Sequence, residues 1–424
     1  MARALQTSYW PADTSRPVLE LTTGDALRQA AAEAPNSTAL VELVPHGMAS
    51  LVGAETTDRR WTYAQLLADA ENCAHWLLES YAPGERLCLW APNVPEWVII
   101  QYGAAMAGLV LVTANPALRA GELRYVLCQS QAVGLIHADE FRGTNMDTIA
   151  REVASEVRHR FCLAQWHAVV QGRTRSGTLP VVRPDDPAQI QYTSGTTGEP
   201  KGAMLRHRSI VTNGYYIASR AGLDHGVFVS PLPLFHTAGS GMSVLGSVTT
   251  RSTYVLPLVF DPEMLLAAIE RERGTLTLGV PTMLIALHEQ ASKSQHDLSS
   301  LRTAICGGAP VPADLLRRVE ESLGCDLTPV YGQTELSPIV SQCAPDDTLD
   351  DKVHSAGRPL WQVEVKIANP LSGEPVPIGE EGEIMARGYQ CMMGYFNMPE
   401  ANAQAIDSEG WVHTNDLGTM DDRG

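Results

Sequence analysis

The sequence predicts an α/β fold with two regions of alternating strands and helices, followed by a small antiparallel, barrel-like region. Three observations lead to this prediction. Helical and strand-like hydrophobic patterns alternate along most of the 424 residues, which is typical of parallel sheets covered by helices on both faces. From about Val353, short strands separated by Gly and Pro turns replace that alternation. The chain is also longer than one hydrophobic core usually supports, so several subdomains are expected.

The first region is expected over residues 20–185. Its first clear helix follows Trp61, where Leu66, Ala74 and Leu77 recur at helical spacing. Residues 97–114 carry no charge and are long enough to suggest a membrane span, but glycines interrupt them, and we interpret them as a buried helix and strand. In order, the further predicted elements are a strand in 85–92, a helix over 95–107, a strand over 109–113, a helix over 120–131 and a strand over 132–138.

The second region is expected over residues 186–345, and the third over 346–424. A polar, proline-containing segment leads into the sequence YTSGTTGEPKG, after which the alternation resumes. The predicted elements are a strand in 226–236, a helix over 239–247, a strand in 252–258, a helix over 262–274 and strands in 276–281 and 301–310. The third region alternates short strands with turns and is the predicted barrel-like unit.

Composition excludes several classes of partner. The chain has 48 acidic and 31 basic residues, for a formal net charge of −17, which argues against nucleic acid and stable membrane insertion. The N-terminus shows no secretory signal, so a cytoplasmic protein is expected. The cysteines form no CxxC pair, and most lie among apolar neighbours, which predicts buried thiols in a reducing compartment without a zinc site: Cys73, Cys88, Cys128, Cys162, Cys306, Cys325, Cys343 and Cys391.

A loop rich in glycine and hydroxyl groups, Thr193–Lys201, is the first candidate for chemistry. Its backbone N–H groups and hydroxyls can surround a polyanion, and the Lys201 ammonium adds a point charge. Composition alone also fits a solvent-exposed flexible loop. A Walker A loop is excluded, because Lys201 lies between Pro200 and Gly202 instead of preceding Ser or Thr.

A second candidate is the sequence VYGQTE at 330–335. Tyr331 can stack on a base, Thr334 can bind a phosphate oxygen and Glu335 can bind Mg²⁺. Taken alone, the string also fits a turn with a helix cap. Two further glycine-containing segments, CGGAPVP at 306–312 and GWVHTNDLG at 410–418, complete the set.

Together, TSGTTGEPKG, YGQTE, GEIMARG and GWVHTND resemble the ordered motifs of the adenylate-forming superfamily, which includes acyl-CoA synthetases, peptide-synthetase adenylation domains and luciferases. The segments RERGTLTLGVPTML, YGQTELSPIV and HSAGRPL are most similar to fatty acyl-CoA synthetases of the medium-chain type. The resemblance implies that a carboxylate and ATP form an acyl-adenylate and pyrophosphate, with Mg²⁺. The acyl group then passes to the thiol of coenzyme A.

The resemblance also implies a nucleotide site. The phosphate loop would hold the β- and γ-phosphates, Tyr331 would stack on adenine, and Asp416 would bind the ribose hydroxyls. The implied nucleotide-binding residues are Thr193, Ser194, Gly195, Thr196, Thr197, Gly198, Lys201, Gly308, Ala309, Pro310, Tyr331, Gly332, Gln333, Thr334 and Asp416. The implied metal ligands are Thr197 and Glu335, and the implied catalytic residues are Lys201, His236, Thr334 and Glu335.

The acyl pocket is placed by the same resemblance. His236 matches the family's gate between nucleotide and acyl group, although a core histidine is the alternative interpretation. The other implied lining residues are Gly239, Met242, Val244, Val280, Met283 and Gly307. Amino-acid-activating relatives place an aspartate near 236–239, and this chain has none there. An aliphatic, non-amino acid is therefore favoured, with an aryl acid second.

Two departures from the family pattern affect the expectations. The turn reads Thr414-Asn415-Asp416 where the family has Thr-Gly-Asp, but Asn accepts left-handed backbone better than most residues. Family members continue into a mobile lid, whereas residues 1–424 correspond to the N-terminal core. Low turnover by these residues is therefore expected. The alternatives left open are a ligase that loads an acyl carrier protein, and an adenylate-binding module.

Overall fold

Three β-sheets organise the chain, and helices cover two of them. The structure, a computed structural model, describes residues 5–46, 48, 50–52, 59–171, 174–193 and 199–424. The predicted α/β class is confirmed. The described α-helices are Thr23–Glu33, Tyr63–Leu78, Pro95–Met106, Ala120–Ser130, Met146–Glu152, His207–Arg220, Gly246–Thr249, Pro262–Glu272, Pro281–Ala291, Ala313–Leu323, Leu349–His354 and Pro399–Ala405.

The first sheet, called here the N-terminal sheet, has seven strands. Five neighbouring strands pair in parallel, and two more strands, Lys201–Arg206 and the two-residue Gly394–Tyr395, extend one side antiparallel. This confirms the three predicted strands between residues 85 and 138. In spatial order the strands are Gly394–Tyr395, Lys201–Arg206, Pro187–Thr193, Val110–Ala114, Arg86–Trp90, Gly134–His137 and His159–Cys162.

The charge-free segment 97–114 forms part of this unit's core. It contributes most of the helix Pro95–Met106, which is buried along its whole length, and the strand Val110–Ala114. An added Cβ on Gly103 would lie 2.7 Å from Cys73 Sγ, so only glycine lets the two helices approach this closely. Among the described residues, we find no helix with the length and apolar character needed to cross a membrane.

The second sheet, the central sheet, has nine strands and is mostly parallel. Three neighbouring strands run in register, so that Gly279 lies beside Cys306 and Cys306 beside Pro329. Their carboxyl ends therefore meet at one edge, which is where open α/β sheets bind ligands. In spatial order the strands are Arg358–Pro359, Ile339–Gln342, Asp326–Gly332, Thr303–Cys306, Leu276–Gly279, Val227–Val229, Thr253–Pro257, Thr38–Leu43 and Arg60–Thr62.

The third sheet, the C-terminal sheet, is antiparallel as predicted, and it forms no closed barrel among the described residues. In the described part of the chain its order is Tyr9–Trp10, Val363–Ala368, Gly382–Gly388 and Val412–Gly418, with no pairing between the two outer strands. Four strands are too few to close around a packed interior. A separate pair, Glu140–Phe141 with Thr144–Asn145, forms a small hairpin.

Strand pairing crosses the boundary expected near residue 185 in both directions. The early strand Thr38–Leu43 pairs with Thr253–Pro257 in the central sheet. The later hairpin Pro187–Arg206 pairs with Val110–Ala114 in the N-terminal sheet. The first two regions therefore share their sheets, and the division at residues 20–185, 186–345 and 346–424 stays a prediction.

The predicted helix over 239–247 has an unusual form. It is a π-helix over Ala238–Leu245 that continues as the short helix Gly246–Thr249. Gly214 and Gly246 let it lie directly against the helix His207–Arg220, since an added Cβ on Gly214 would lie 2.8 Å from the Gly241 carbonyl oxygen. Such π-helical turns frequently occur at functional sites, and this one begins two residues after His236.

Candidate active site

Two glycines form the middle of the carboxyl edge of the central sheet. Gly307 follows the strand Thr303–Cys306, and an added Cβ there would lie 2.5 Å from Val330 Cγ2. Gly308 has φ +82°, a left-handed conformation that favours glycine. Val280, which follows the next strand, lies in van der Waals reach of Gly308. Residues predicted to border adenine and the acyl group are therefore adjacent, and Gly308, Ala309 and Pro310 are exposed there.

Tyr331 and Asp416, the two residues expected to contact the nucleoside, meet at this edge. The Tyr331 hydroxyl donates a hydrogen bond to Asp416 Oδ2 at 2.8 Å. Burial of the ring and, to a smaller degree, the neighbouring Asp416 carboxylate raise the pKa of Tyr331 above its usual range. The phenol therefore stays protonated at neutral pH. The C-terminal sheet, which carries Asp416, thus meets the central sheet, which carries Tyr331, where the nucleoside is expected.

The phosphate loop connects the two strands of a hairpin. Thr193 lies opposite Lys201 in the antiparallel pair, and its hydroxyl donates to the Lys201 carbonyl at 3.5 Å. Ser194, Gly195, Thr196, Thr197 and Gly198 lie outside the described residues. Their expected phosphate contacts, and the metal contact of Thr197, therefore remain predictions.

Lys201 is linked to Glu335 by a tyrosine that the sequence analysis missed. The Tyr395 hydroxyl donates to Glu335 Oε1 at 2.8 Å, and Lys201 Nζ lies 5.2 Å from the centroid of the Tyr395 ring. Burial and the nearby carboxylate raise the pKa of Tyr395, so its hydroxyl keeps the proton that it donates. Glu335 is only 8% exposed, yet no described residue donates to its second carboxylate oxygen.

Strand pairing places Tyr395 at this position. Tyr395 lies opposite Ala203 on the hairpin strand that begins at Lys201. The Asn402 side chain accepts from the Tyr395 backbone N–H at 2.5 Å and donates to its carbonyl oxygen at 2.9 Å. The only sequence signal was an aromatic residue after Gly394, which is too common to identify a site.

The turn after Gly332 holds the remaining predicted phosphate residues. An added Cβ on Gly332 would lie 2.0 Å from the Pro338 carbonyl oxygen, so the turn requires glycine. Thr334 and Glu335 lie in a buried 3₁₀ turn, Thr334–Leu336. The buried Gln333 Nε2 has no hydrogen-bond partner among the described residues. An unpaired buried donor is costly, and a bound acceptor group would satisfy it.

His236 lies in the loop before the π-helix. Its Nδ1 accepts the Ala238 backbone N–H at 3.2 Å, so in the neutral ring the proton lies on Nε2. The side chain is exposed, but protein crowds around it, and the resulting loss of hydration lowers the pKa of His236 below its usual value. The neutral ring can therefore offer an N–H donor to a ligand, in contrast to a histidine closed inside the core.

The predicted acyl-pocket residues fall into two groups. Met242 and Met283 belong to one apolar cluster with Val330 and Tyr331, so the apolar surface is continuous with the nucleoside residues. Val244, in contrast, packs in the larger core beneath the N-terminal sheet, and its expected place in the lining stays a prediction. At Gly239, an added Cβ would lie 2.3 Å from the Pro233 carbonyl oxygen, so backbone packing requires glycine there.

A possible metal cluster lies away from this site. Ligand atoms of His137, Asp147 and Cys162 lie within 4.8 Å of one another. Arg160 Nη1, however, is 2.9 Å from His137 Nε2 and 2.5 Å from Asp147 Oδ1. The guanidinium therefore already occupies the position that a bound cation would take.

Comparison with known proteins agrees with this arrangement. Residues 27–396 match the family described as AMP-binding enzyme. The human mitochondrial medium-chain acyl-CoA ligase ACSF2 is 31% identical over 455 residues, which cover 98% of this chain and 72% of the relative.

Two solved structures have the same fold as this chain. The long-chain-fatty-acid-CoA ligase FadD1 of Archaeoglobus fulgidus has a TM-score of 0.88 and 25% identity. The match covers 99% of this chain and 86% of the FadD1 chain. The o-succinylbenzoate CoA synthetase MenE of Bacillus subtilis was solved with its acyl-adenylate intermediate. Its TM-score is 0.82 at 27% identity, and the match covers 96% of this chain and 77% of the MenE chain. From the shared motifs, their convergence at one edge of the central sheet and these matches, we conclude that the chain belongs to the AMP-binding enzyme family of adenylate-forming acyl-CoA ligases.

Proposed function

We propose that the protein activates an aliphatic carboxylic acid, of medium or long chain, with ATP and passes the acyl group to coenzyme A. One observation carries the proposal: two polar groupings and an apolar cluster converge at the carboxyl edge of the central sheet. The first grouping joins Lys201 to Glu335 through Tyr395, and the second joins Tyr331 to Asp416. The apolar cluster contains Met242 and Met283. A site of this kind has separate places for phosphates, a nucleoside and an acyl chain.

The reaction needs alignment and charge neutralisation more than acid–base chemistry. A carboxylate oxygen attacks the α-phosphorus, the P–O bond to the β-phosphate breaks, and pyrophosphate leaves with the electron pair. Both reactants are anions, so donors fixed before the reaction lower the barrier most. We assign Lys201 and the phosphate loop to the β- and γ-phosphates and Thr334 to the α-phosphate. Neutral His236 borders the reacting carboxylate and donates from Nε2.

Glu335 is the proposed ligand of Mg²⁺, with Thr197 as the second. The fit rests on the carboxylate itself: Tyr395 holds one oxygen, and the other has no donor among the described residues. Carboxylate oxygens and substrate phosphates are the ligands that Mg²⁺ prefers. When bound, the ion would neutralise phosphate charge.

The acid is proposed to lack an α-amino group. No Asp or Glu occurs between His236 and Leu245, the segment that contains the residues assigned to the acyl group. An α-ammonium group in that apolar surrounding would lose its hydration without gaining a partner. An aryl acid is the second candidate, because the similar B. subtilis structure is named for o-succinylbenzoate.

Coenzyme A is the proposed acceptor, since the similar human and archaeal proteins are named as CoA ligases. Nothing in the comparisons supports the alternative of an acyl carrier protein. The human relative is described as mitochondrial, and the cytoplasmic expectation stays a prediction.

The acid class can be tested by acid-dependent exchange of pyrophosphate into ATP. Octanoate and longer fatty acids should drive exchange, whereas the matching 2-amino acids should not, because burying the unpaired ammonium costs about 2 kcal/mol or more. Benzoate serves as the aryl control. Preference for a free amino acid would contradict the assignment.

A further inference from the structure

The strand that carries Asp416 contains a bulge of three residues. In the antiparallel pair of Gly382–Gly388 with Val412–Gly418, Glu383 lies opposite Leu417 and Met385 lies opposite His413. One residue on the first strand, Ile384, therefore faces three on the second. Bulges of this type redirect side chains and are over-represented beside active sites. Here the bulged residues are Thr414, Asn415 and Asp416.

The carboxylate of Glu383 makes hydrogen bonds to two residues of the bulged strand. Glu383 is 7% exposed. Its Oε2 accepts from His413 Nδ1 at 2.9 Å, and its Oε1 accepts the Asn415 backbone N–H at 3.1 Å. Both bonds are charge-assisted and therefore stronger than bonds between neutral groups. Glu383 thus contacts the residue that enters the bulge and the residue at its centre.

The conformation of the bulge needs such support. Asn415 has φ +59°, a left-handed conformation that is unfavourable for most residues other than glycine and that asparagine tolerates better than the rest. On the other side, the Thr414 hydroxyl donates to the Ile384 carbonyl at 2.6 Å and accepts the Asp416 N–H at 3.1 Å. With the Glu383 bonds, these contacts fix both backbone amides around Asn415. As a result, the Asp416 side chain points to the Tyr331 hydroxyl.

We propose that Glu383 is a positioning residue, which holds the 414–416 bulge so that Asp416 meets the ribose hydroxyls of the nucleotide. The inference rests on the proposed function, in which Asp416 binds ribose. Glu383 itself faces the bulge and makes its two bonds within the protein, so it acts on the nucleotide through Asp416.

The test measures recognition of the ribose hydroxyls. The affinities of AMP and 2′,3′-dideoxy-AMP are compared by calorimetry in the wild-type protein and in variants. The wild type should prefer AMP, and Glu383→Ala should reduce this preference about tenfold or more. Glu383→Gln keeps one acceptor and should retain part of it. Glu364→Ala is the matched control, because this carboxylate lies in the same sheet but binds Arg387 and Tyr9 instead.

Each outcome has a separate meaning. A Glu383→Ala protein that keeps the wild-type preference for AMP would overturn the inference, as would an equal loss in Glu364→Ala. A wild-type protein that binds neither nucleotide would contradict the proposed function instead. If Glu383→Ala does not fold, Asn415→Val provides the second variant, because a β-branched residue disfavours the left-handed conformation. Unchanged preference in Asn415→Val would also overturn the inference.

Discussion

Replacement of Lys201 by alanine should weaken ATP binding about tenfold to a hundredfold, the equivalent of roughly 1.5–3 kcal/mol for a charge-assisted contact. Lys201 stands at the end of the phosphate-loop hairpin, with its ammonium group held near the Tyr395 ring. In the proposed reaction it contacts the phosphates that leave as pyrophosphate. An acyl-adenylate analogue lacks those phosphates, so its affinity should change little. Calorimetry with both ligands measures the difference.

The control for Lys201→Ala is Lys293→Ala, which removes an exposed lysine after the helix Pro281–Ala291. The control should bind both ligands as the wild type does. Equal losses of ATP and adenylate affinity in Lys201→Ala would remove Lys201 from the phosphate site. They would indicate that its contact with Tyr395 serves the structure of the hairpin.

Replacement of Glu335 by glutamine should lower the apparent affinity for Mg²⁺ in the presence of ATP about tenfold or more, while adenosine binding changes little. The substitution keeps the size of the side chain but removes the charge that the cation requires. Tyr395→Phe should lower the Mg²⁺ affinity by less than Glu335→Gln does, because it leaves the ligand carboxylate in place and removes only a group that orients it. Magnesium titrations at fixed ATP measure both effects.

Tyr389→Phe controls for the loss of a buried hydroxyl, because Tyr389 is hydrogen-bonded to Asn213 instead of Glu335. Its Mg²⁺ titration should match the wild type. An unchanged titration in Glu335→Gln would show that Glu335 only stabilises its turn. If only Tyr395→Phe were unchanged, Glu335 would be oriented by its surroundings without the tyrosine.

Local signals explain why much of the fold could be predicted. The helix expected over 262–274 is found at Pro262–Glu272, where Asp261 accepts the Met264 N–H and Pro262 occupies the first turn. The strand before Gly307 was predicted from a short apolar run that ends in glycine, and it is found at Thr303–Cys306. Because neighbouring parallel strands end at one edge, the motifs that follow them meet there in the structure.

Contacts between distant residues explain what the sequence could not show. Tyr395 reaches Glu335 only because a two-residue strand pairs with the hairpin almost two hundred residues earlier in the chain. Glu383 contacts the bulge only because the bulged strand pairs with its own strand. The hydrophobic periodicity of the sequence does not predict such a bulge. Tertiary packing also explains why the first two predicted regions contribute strands to each other's sheets. It selects the pairing partner of a strand, which the local sequence pattern does not specify.

Binding of a nonhydrolysable acyl-adenylate analogue is the sharpest test of the proposed adenylate site, because it requires the nucleoside and acyl parts of the site together. Calorimetry and thermal unfolding should be performed on the 424-residue protein with an octanoyl-adenylate analogue. We expect one bound ligand per chain, with about 2.7 kcal/mol of added stability at 100 times the dissociation constant. Competition by AMP should be complete. Absence of binding, or binding that AMP does not displace, would contradict the assignment of an adenylate site to the edge where Tyr331, Asp416 and Met283 meet.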